Sequence, residues 1–350
     1  MQKKPLPVFR EGLFYLAAKY NFIYSYMATM LQKLSTLYLQ CLIILNMRII
    51  RKKLLLLAGL YCTSLVGNAQ NNHTTDSNII ADGATPRLIA RQFSFTEGPA
   101  TDSRGDIYFT DQPNNKIWKY DINGHLSLFM DSAGRSNGMY FDRNGNLISC
   151  ADEQNQLWSI DRKKKVKVLI NDIDGKKLNG PNDVWVSPGG NIYFTDPYYQ
   201  RTWWTRTKPE MEAEKVFVLL RGSKTPQPLI DSMKRPNGIV GTLDGSQLYV
   251  SDLNGNKTYR YTINKDGSLS NGELFVNLGS DGMTIDNKGN IYLTGKGVTV
   301  FNSQGKQIAH IDIPEKWTAN VAFYGKQRNK LFITASEAIY ELEMKVKGVE

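Results

Sequence analysis

Histidine and cysteine are scarce in this chain of 350 residues, which contains three of each. The histidines stand far apart, in a linker, a turn region and a late repeat: His73, His125 and His310. Because zinc centres usually draw on several imidazole or thiolate ligands, this scarcity excludes a histidine-rich zinc site. Cys41 and Cys62 precede residue 70, so the rest of the chain contains only Cys150 and is predicted to form no internal disulfide.

The sequence also lacks an apolar run long enough to span a bilayer comfortably. Residues 54–66 form a short apolar stretch, which follows a basic start beginning at Arg48 and precedes small residues that end at Ala69. These three regions together are typical of a secretory signal peptide. We therefore predict a signal peptide over residues 47–69, cleavage near Ala69, a periplasmic or secreted product, and no stable membrane anchor in the mature form.

Residues 1–46 precede this predicted signal peptide, where exported chains ordinarily have nothing. We expect Met47 to be the true start, with a poorly ordered or membrane-associated extension as the alternative. A linker over residues 70–86 is expected to follow the signal peptide, and the folded domain is expected over residues 87–345.

Most of the excess positive charge lies in residues 1–69, the predicted extension and signal peptide. The whole chain has a formal net charge of +10. Nine of the 43 basic residues but only one of the 33 acidic residues lie in residues 1–69, so the remainder has a net charge of +2. Such a balanced surface does not favour a nucleic-acid partner. No nucleic-acid binding is predicted, and the oligomeric state is expected to be monomer or dimer.

One sequence phrase recurs six times between residues 97 and 340. Each copy has a polar opening, a turn and a hydrophobic strand, as in EGPATDSRGDIYFTD and NDVWVSPGGNIYFTD. The turn glycines are spaced 40, 45, 55 and 44 residues apart, at Gly105, Gly145, Gly190, Gly245 and Gly289. This period is typical of β-propeller blades. The sequence predicts an all-β, six-bladed propeller with four antiparallel strands per blade, closed by the N-terminal strand in RLIARQFS.

The openings of the six copies are expected to meet around the propeller axis, because the first strand of each blade lies nearest the channel. In chain order they are Glu97, Asn137, Asn182, Asn237, Asp281 and Ala319. Carboxylate and amide oxygens suit a hard cation. The openings therefore predict a divalent cation site, with Ca²⁺ as the first choice and Mg²⁺, Mn²⁺ or Zn²⁺ as alternatives. A purely structural interpretation is also open, since Asn and Asp often begin strands by bonding to local backbone.

A second set of acids ends the following strands at the same mouth of the predicted channel. Asp111, Asp196 and Asp252 occupy this position in three blades. They are predicted to surround the ion at a larger radius, where they would orient ligands or transfer protons, or else to be solvated strand ends.

The repeats resemble the gluconolactonase and regucalcin family, whose members are six-bladed propellers that bind a divalent metal in the channel and hydrolyse sugar lactones. FTEGPATD, GPNDVWVSPGGNIYFTDPYY, RPNGIVGTLDGSQLYVSD and GSDGMTIDNKGNIYLTG carry the resemblance, which covers about residues 95–341. It implies metal ligands at Glu97, Asn237 and Asp281, and at Asn182 an amide near both metal and substrate. It also implies that Asp281 is the general base.

The sequence departs from this family at Gly180, where regucalcin-like members place an arginine two residues before the amide. The longest repeat also contains an insertion, YYQRTWWTRTKPEMEAEK. Its aromatic and cationic side chains are predicted either to roof the mouth and bind a sugar ring, or to form a surface insertion: Tyr198, Tyr199, Arg201, Trp203, Trp204 and Arg206. Substrate contacts are predicted for Tyr198 and Arg201, with Asn137, Asn182 and Asp196.

The leading functional hypothesis is metal-assisted hydrolysis of a sugar lactone, a small-molecule substrate. Because a carboxylate that ligates a dication becomes a weak base, Asp252 is an alternative to Asp281 for accepting the proton of water. The competing hypothesis is a non-catalytic exported propeller that binds a sugar or a protein, with a structural calcium ion.

Overall fold

The computed structural model describes residues 79–349 and four helical residues, Met30, Gln32, Leu34 and Ser35. The chain divides into two compact units, Met1–Asn72 and His73–Glu350. Apart from those four residues, the predicted extension and signal peptide lie outside the described residues. Within the described part of the chain, no helix combines the length and apolar character needed to cross a membrane.

Residues 87–343 form six four-stranded antiparallel sheets, which are the blades of a propeller. Strand β1 (Arg87–Arg91) belongs to the last blade. Blade one contains β2 (Thr96–Thr101), β3 (Ile107–Asp111), β4 (Lys116–Tyr120) and β5 (Leu126–Asp131), with a 3-10 helix at Gln112–Asn114. Blade two contains β6 (Ser136–Phe141), β7 (Leu147–Ala151), β8 (Gln156–Ile160) and β9 (Val166–Ile170).

The remaining blades follow the same order. Blade three contains β10 (Val184–Val186), β11 (Ile192–Asp196), β12 (Lys215–Leu219) and β13 (Gln227–Ile230). Blade four contains β14 (Pro236–Gly241), β15 (Gln247–Asp252), β16 (Lys257–Ile263) and β17 (Leu269–Val276). Blade five contains β18 (Met283–Ile285), β19 (Ile291–Gly295), β20 (Gly297–Phe301) and β21 (Gln307–Ile311). Blade six contains β22 (Thr318–Tyr324), β23 (Lys330–Ala335) and β24 (Ala338–Glu343).

The N-terminal strand closes the ring, which confirms the predicted fold. β1 pairs antiparallel with β24, and Arg87 lies opposite Glu341. This pairing covers the last free edge of blade six. Residues upstream also join the packing: Ile79, within the predicted linker, is 1% exposed, and its carbonyl accepts a hydrogen bond from the Lys345 amide. The folded unit therefore extends upstream of Arg87.

Hairpins and blade faces show why the repeat folds this way. In blade one, Asp102 Oδ1 accepts the backbone N–H groups of Arg104 (2.9 Å) and Asp106 (3.1 Å), which fixes the turn between β2 and β3. Gly105 completes that turn with a φ of +96°. Between blades the contacts are apolar, as where Tyr292 of blade five meets Phe323 of blade six edge to face at 5.3 Å.

Candidate functional site

The predicted openings converge at one mouth of the channel. Glu97, Asn137, Asn182, Asn237 and Asp281 are all buried, with at most 9% of each exposed. In four blades the register of the innermost strand shifts at the opening, as between Glu97 and Ala100. A bulge of this kind redirects a side chain away from the regular ladder. The carboxylates of Glu97 and Asp281 are close enough for their charges to interact, so blades one and five contribute to one shared volume.

Contacts link neighbouring openings around the axis. Asn237 Nδ2 donates to Asp281 Oδ1 at 2.7 Å, and the backbone N–H of Gly138 donates to the Asn182 carbonyl at 2.7 Å. On the far side, Asn320 Nδ2 donates to Glu97 Oε2 at 3.2 Å. These contacts join blade four to blade five, blade two to blade three, and blade six to blade one. The sixth opening, Ala319, contributes only backbone, and the residue after it supplies the polar group.

A second layer lies one residue further along each innermost strand. Four blades have glycine there, whereas blade three has Asp183 and blade six has Asn320, both buried. Because these blades face each other across a six-bladed ring, the two side chains meet at the axis. They line a cavity of about 20 Å³, which is room for about one water molecule. A larger cavity, of about 310 Å³, lies at the opposite ends of the strands around Tyr140, Trp185 and Val349, and its lining includes none of the predicted site residues.

Electrostatics at the mouth disfavours two ionised acids with no cation between them. Burial, and then the neighbouring charge of Asp281, raises the pKa of Glu97 well above its ordinary value. Burial raises the pKa of Asp281 to about 6, although hydrogen bonds from Trp317 and Asn237 oppose the rise. Burial likewise raises the pKa of Asp183 to about 8. Among the described residues none of these three carboxylates has a salt bridge, so a bound cation would relieve their repulsion.

The donor set fits a hard cation when amides are counted with acids. No three His, Cys, Asp or Glu side chains in residues 79–349 are grouped closely enough to hold a metal by themselves. Glu97 and Asp281 supply two carboxylates, and the neighbouring asparagines supply amide oxygens. Asn137 Oδ1 is buried without a hydrogen-bond partner in the described structure. Buried polar atoms are normally satisfied, so this oxygen points to a ligand.

Two aromatic residues contact the site, and their polar groups were not assigned from the sequence. Trp317 Nε1 donates to Asp281 Oδ2 at 2.6 Å. The Tyr199 hydroxyl accepts a hydrogen bond from Asn237 Nδ2 at 3.1 Å. Both lie in loops, outside the repeated phrase. Tyr199 belongs to the insertion that was predicted to roof the mouth, whereas no prediction was made for Trp317, two residues before the sixth opening.

The strand-end acids are positioned differently from their predicted roles. Asp252 accepts the backbone N–H groups of Lys234 (3.1 Å) and Arg235 (2.9 Å). Asp196 accepts those of Asn179 (2.9 Å) and Gly180 (2.8 Å). These carboxylates fix the segment that leads into each opening, because both of their oxygens bind backbone. This geometry disfavours proton transfer by Asp252 and direct substrate contact by Asp196.

The insertion of blade three lies against the mouth. Tyr199 is half-buried beside Asn237, and Arg201 Nε donates to the buried Asp152 carboxylate at 2.8 Å. Tyr198 lies further out: its hydroxyl contacts Gln200, and its ring packs at 5.8 Å from that of Trp204. Of the two predicted substrate contacts on the insertion, Arg201 therefore lies nearer the channel.

These features define a six-bladed propeller with a buried carboxylate and amide site at one mouth of its channel. A family model described as the SMP-30/Gluconolactonase/LRE-like region matches residues 95–337. The chain belongs to this family.

Named relatives span nearly the whole propeller. A gluconolactonase from Zymomonas mobilis is 28% identical over 302 residues, which cover 77% of this chain and 84% of the relative. The structure of a gluconolactonase from Xanthomonas campestris has a TM-score of 0.72 and 26% identity, and the match covers 78% of this chain and 93% of that one. A calcium-binding regucalcin from Agrobacterium tumefaciens shares the fold, with a TM-score of 0.64, 19% identity and coverage of 76% and 95%.

Proposed function

We propose that this chain is a sugar lactonase that depends on a divalent metal ion. Relatives named gluconolactonase and pentonolactonase cover most of the chain and support the lactone as substrate class. The observation that supports the metal dependence is that Glu97 and Asp281 are buried in one ring with three asparagines and have no salt bridge to any residue that the structure describes. Oxygen ligands of both types favour calcium, with magnesium, manganese or zinc as alternatives.

Glu97, Asn237 and Asp281 would hold the ion, with Asn182 beside it. When bound, a divalent cation stabilises the negative charge that develops on an ester carbonyl oxygen. Asn137 Oδ1 has no partner among the described residues, so it offers an acceptor for a hydroxyl of the sugar ring. Arg201, which is bonded to Asp152 beside blade two, supplies further hydrogen-bond donors at this mouth.

Asp281 is better placed than Asp252 to accept the proton of the attacking water. Asp281 lies on the channel and is bonded by two side chains, whereas Asp252 is occupied by backbone N–H groups. As the water oxygen bonds to the lactone carbon, its proton passes to the carboxylate. The bond to the ring oxygen then breaks, and that oxygen takes up a proton to complete the hydroxy acid.

Acid release from lactones tests this function directly. We expect the chelator-treated protein to be at least about tenfold less active in a pH-stat assay of glucono-δ-lactone than protein supplied with a divalent metal. Calcium, magnesium, manganese and zinc are added back separately, and bound metal is measured in each sample. A filled metal site with no acid release from any of a panel of sugar lactones would instead favour a non-catalytic sugar- or protein-binding propeller.

Trp317 is predicted to orient Asp281 through its indole N–H. Trp317→Phe keeps an aromatic ring but removes the 2.6 Å hydrogen bond, so metal affinity should fall about tenfold, as for other residues that orient a metal ligand. Isothermal titration calorimetry measures this change. Trp118→Phe is the matched control, because Trp118 Nε1 is buried without a hydrogen-bond partner in the described chain. Equal metal affinities for the two variants would contradict the assignment.

A further inference from the structure

Two irregularities of the repeat meet above the channel. In blades one and four, the residue before the opening lies opposite a strand-end acid: Thr96 opposite Asp111 and Pro236 opposite Asp252. In blade two the equivalent partner of Ser136 is Ala151, and the acid comes one residue later, at Asp152. Successive side chains of a strand point to opposite sides. Asp152 is therefore released from the backbone-fixing role of its counterparts.

The second irregularity is the insertion of blade three, which binds this displaced acid. Asp152 is 1% exposed, and Arg201 Nε donates to its Oδ2 at 2.8 Å. Gln112 Nε2 donates to the same oxygen at 3.0 Å, and Trp204 Nε1 donates to the Asp152 carbonyl at 2.8 Å. An acid displaced in one blade thus anchors a loop added to the next.

Gly180 makes room for this arrangement. A Cβ at position 180 would lie 2.8 Å from Asp152 Oδ1 and 2.9 Å from the Trp204 ring. Any side chain there would displace the acid or the indole. The guanidinium at this part of the mouth therefore comes from the insertion and not from the segment that leads into Asn182.

Arg201 is held on several sides but keeps donors free. Its guanidinium lies 5.3 Å from the Tyr199 ring centroid and 5.6 Å from that of Trp203. Tyr199 also contacts Arg235 at 4.6 Å, and Trp203 contacts Arg135 at 4.6 Å, so arginines and aromatic rings alternate from blade four to blade two. In the described structure Arg201 donates to protein only through Nε, which leaves both Nη groups for a ligand.

Each arginine of this stack has its own acid. Arg201 pairs with Asp152 at 2.8 Å, Arg235 with Glu214 at 3.4 Å, and Arg135 with Glu153 at 3.5 Å. The stack therefore offers hydrogen-bond donors at the mouth without a net positive charge. Paired guanidinium groups suit neutral hydroxyls, whereas an additional anionic group would compete with the acids already present.

We propose that Asp152 is a positioning residue that holds Arg201 at the mouth and makes the site selective for uncharged sugar lactones over phosphorylated ones. This inference rests on the proposed lactonase function. Asp152 touches no reacting atom in this scheme. It acts by fixing one guanidinium and by balancing its charge, while the Nη groups of Arg201 contact ring hydroxyls.

The test compares glucono-δ-lactone with 6-phosphogluconolactone in the metal-loaded full chain. For Asp152→Asn we expect KM for the uncharged lactone to rise about tenfold, as for loss of a charge-assisted hydrogen bond, with a smaller change in kcat. Selectivity, measured as the ratio of the two kcat/KM values, should shift about tenfold toward the phosphorylated lactone because Arg201 loses its counter-charge. A purely structural role for Asp152 would lower both kcat/KM values together and leave the ratio unchanged.

Two further variants keep the test decisive. Glu273→Gln is the matched control, because it removes the acid partner of Arg260 on the exposed face of blade four and should leave the ratio unaltered. If Asp152→Asn does not fold, Arg201→Lys replaces it, since lysine lacks the Nε that Asp152 binds and should raise KM similarly. No turnover of any lactone by the wild type would overturn both proposals. Turnover with an unchanged ratio in the folded variant would overturn only the role of Asp152.

Discussion

Replacing Asp281 by alanine is expected to lower lactone turnover by about 10²–10³-fold or more, the scale on which one essential electrostatic group contributes to catalysis. Asp281 contributes a carboxylate to the ring, accepts hydrogen bonds from Asn237 and Trp317, and is the proposed proton acceptor. The same change removes one of only two carboxylates at the ring of openings, so metal affinity should fall sharply as well. Turnover by pH-stat and metal affinity by calorimetry measure the two effects.

Asp312→Ala is the control for this experiment. It makes the same chemical change at a carboxylate that is 86% exposed and lies 3.4 Å from His310 Nε2, so neither quantity should change. Asp281→Asn adds a second comparison, because the amide keeps an oxygen ligand but cannot accept the proton. If Asp281→Ala retained both wild-type metal affinity and wild-type turnover, the proposed mechanism would be wrong.

The pH dependence of the unfolding free energy of the metal-free protein should also depend on Asp281. Burial raises the pKa of Asp281 from 3.8 to about 6, so between these values the folded state binds more protons than the unfolded state. Stability must then fall as pH rises through this window. Asp281→Ala removes that contribution, and its metal-free unfolding free energy should decline less between pH 4 and pH 6 than that of the wild type.

The parts of the site that could be predicted from the sequence are those that the repeat encodes. Glu97, Asn182, Asn237 and Asp281 all occupy the same place in their blades, so ring geometry alone brings them together. Closure of the ring by Arg87–Arg91 could also be predicted from the sequence, because blade six otherwise lacked a fourth strand. Trp317 and Tyr199 were harder to assign, since loop residues follow no period and their contacts depend on how each loop packs.

The strand-end acids show a different limit. Asp252 and Asp196 end strands beside the mouth, as predicted. A side chain at the end of a strand can, however, point either toward the channel or toward the preceding segment. Nearby backbone N–H groups of the preceding segment are strong donors that need acceptors, and they take up both carboxylates. Asp183 and Asn320 were overlooked because only the first residue of each opening was considered, whereas in blades three and six the second residue also faces the axis.

That second layer leads to the largest expected effect on folding. Gly282 lies against Asn320: a Cβ at position 282 would be 1.9 Å from Asn320 Cγ and 2.0 Å from its Oδ1. Its φ is not in the left-handed region, so the objection to a side chain is steric alone. Gly282→Ala should destabilise the protein by about 3 kcal/mol, as for a severely overpacked core. Thermal or denaturant unfolding measures the loss.

Gly189→Ala is the matched control, because its new Cβ would have only Ser187 Oγ nearby, at 3.8 Å, and its φ is also outside the left-handed region. Asn320→Ala should itself be destabilising, since Asn320 Oδ1 accepts the Val321 N–H and its Nδ2 donates to Glu97. The three atoms nearest the new Cβ all belong to the Asn320 side chain, so the double variant should lose less than the sum of the single losses. Two results would contradict this prediction: stability losses of the two single variants that simply add in the double variant, or a Gly282→Ala protein as stable as Gly189→Ala. Either result would show that the inner strands separate to admit the methyl group. The axis would then not be close-packed at this layer.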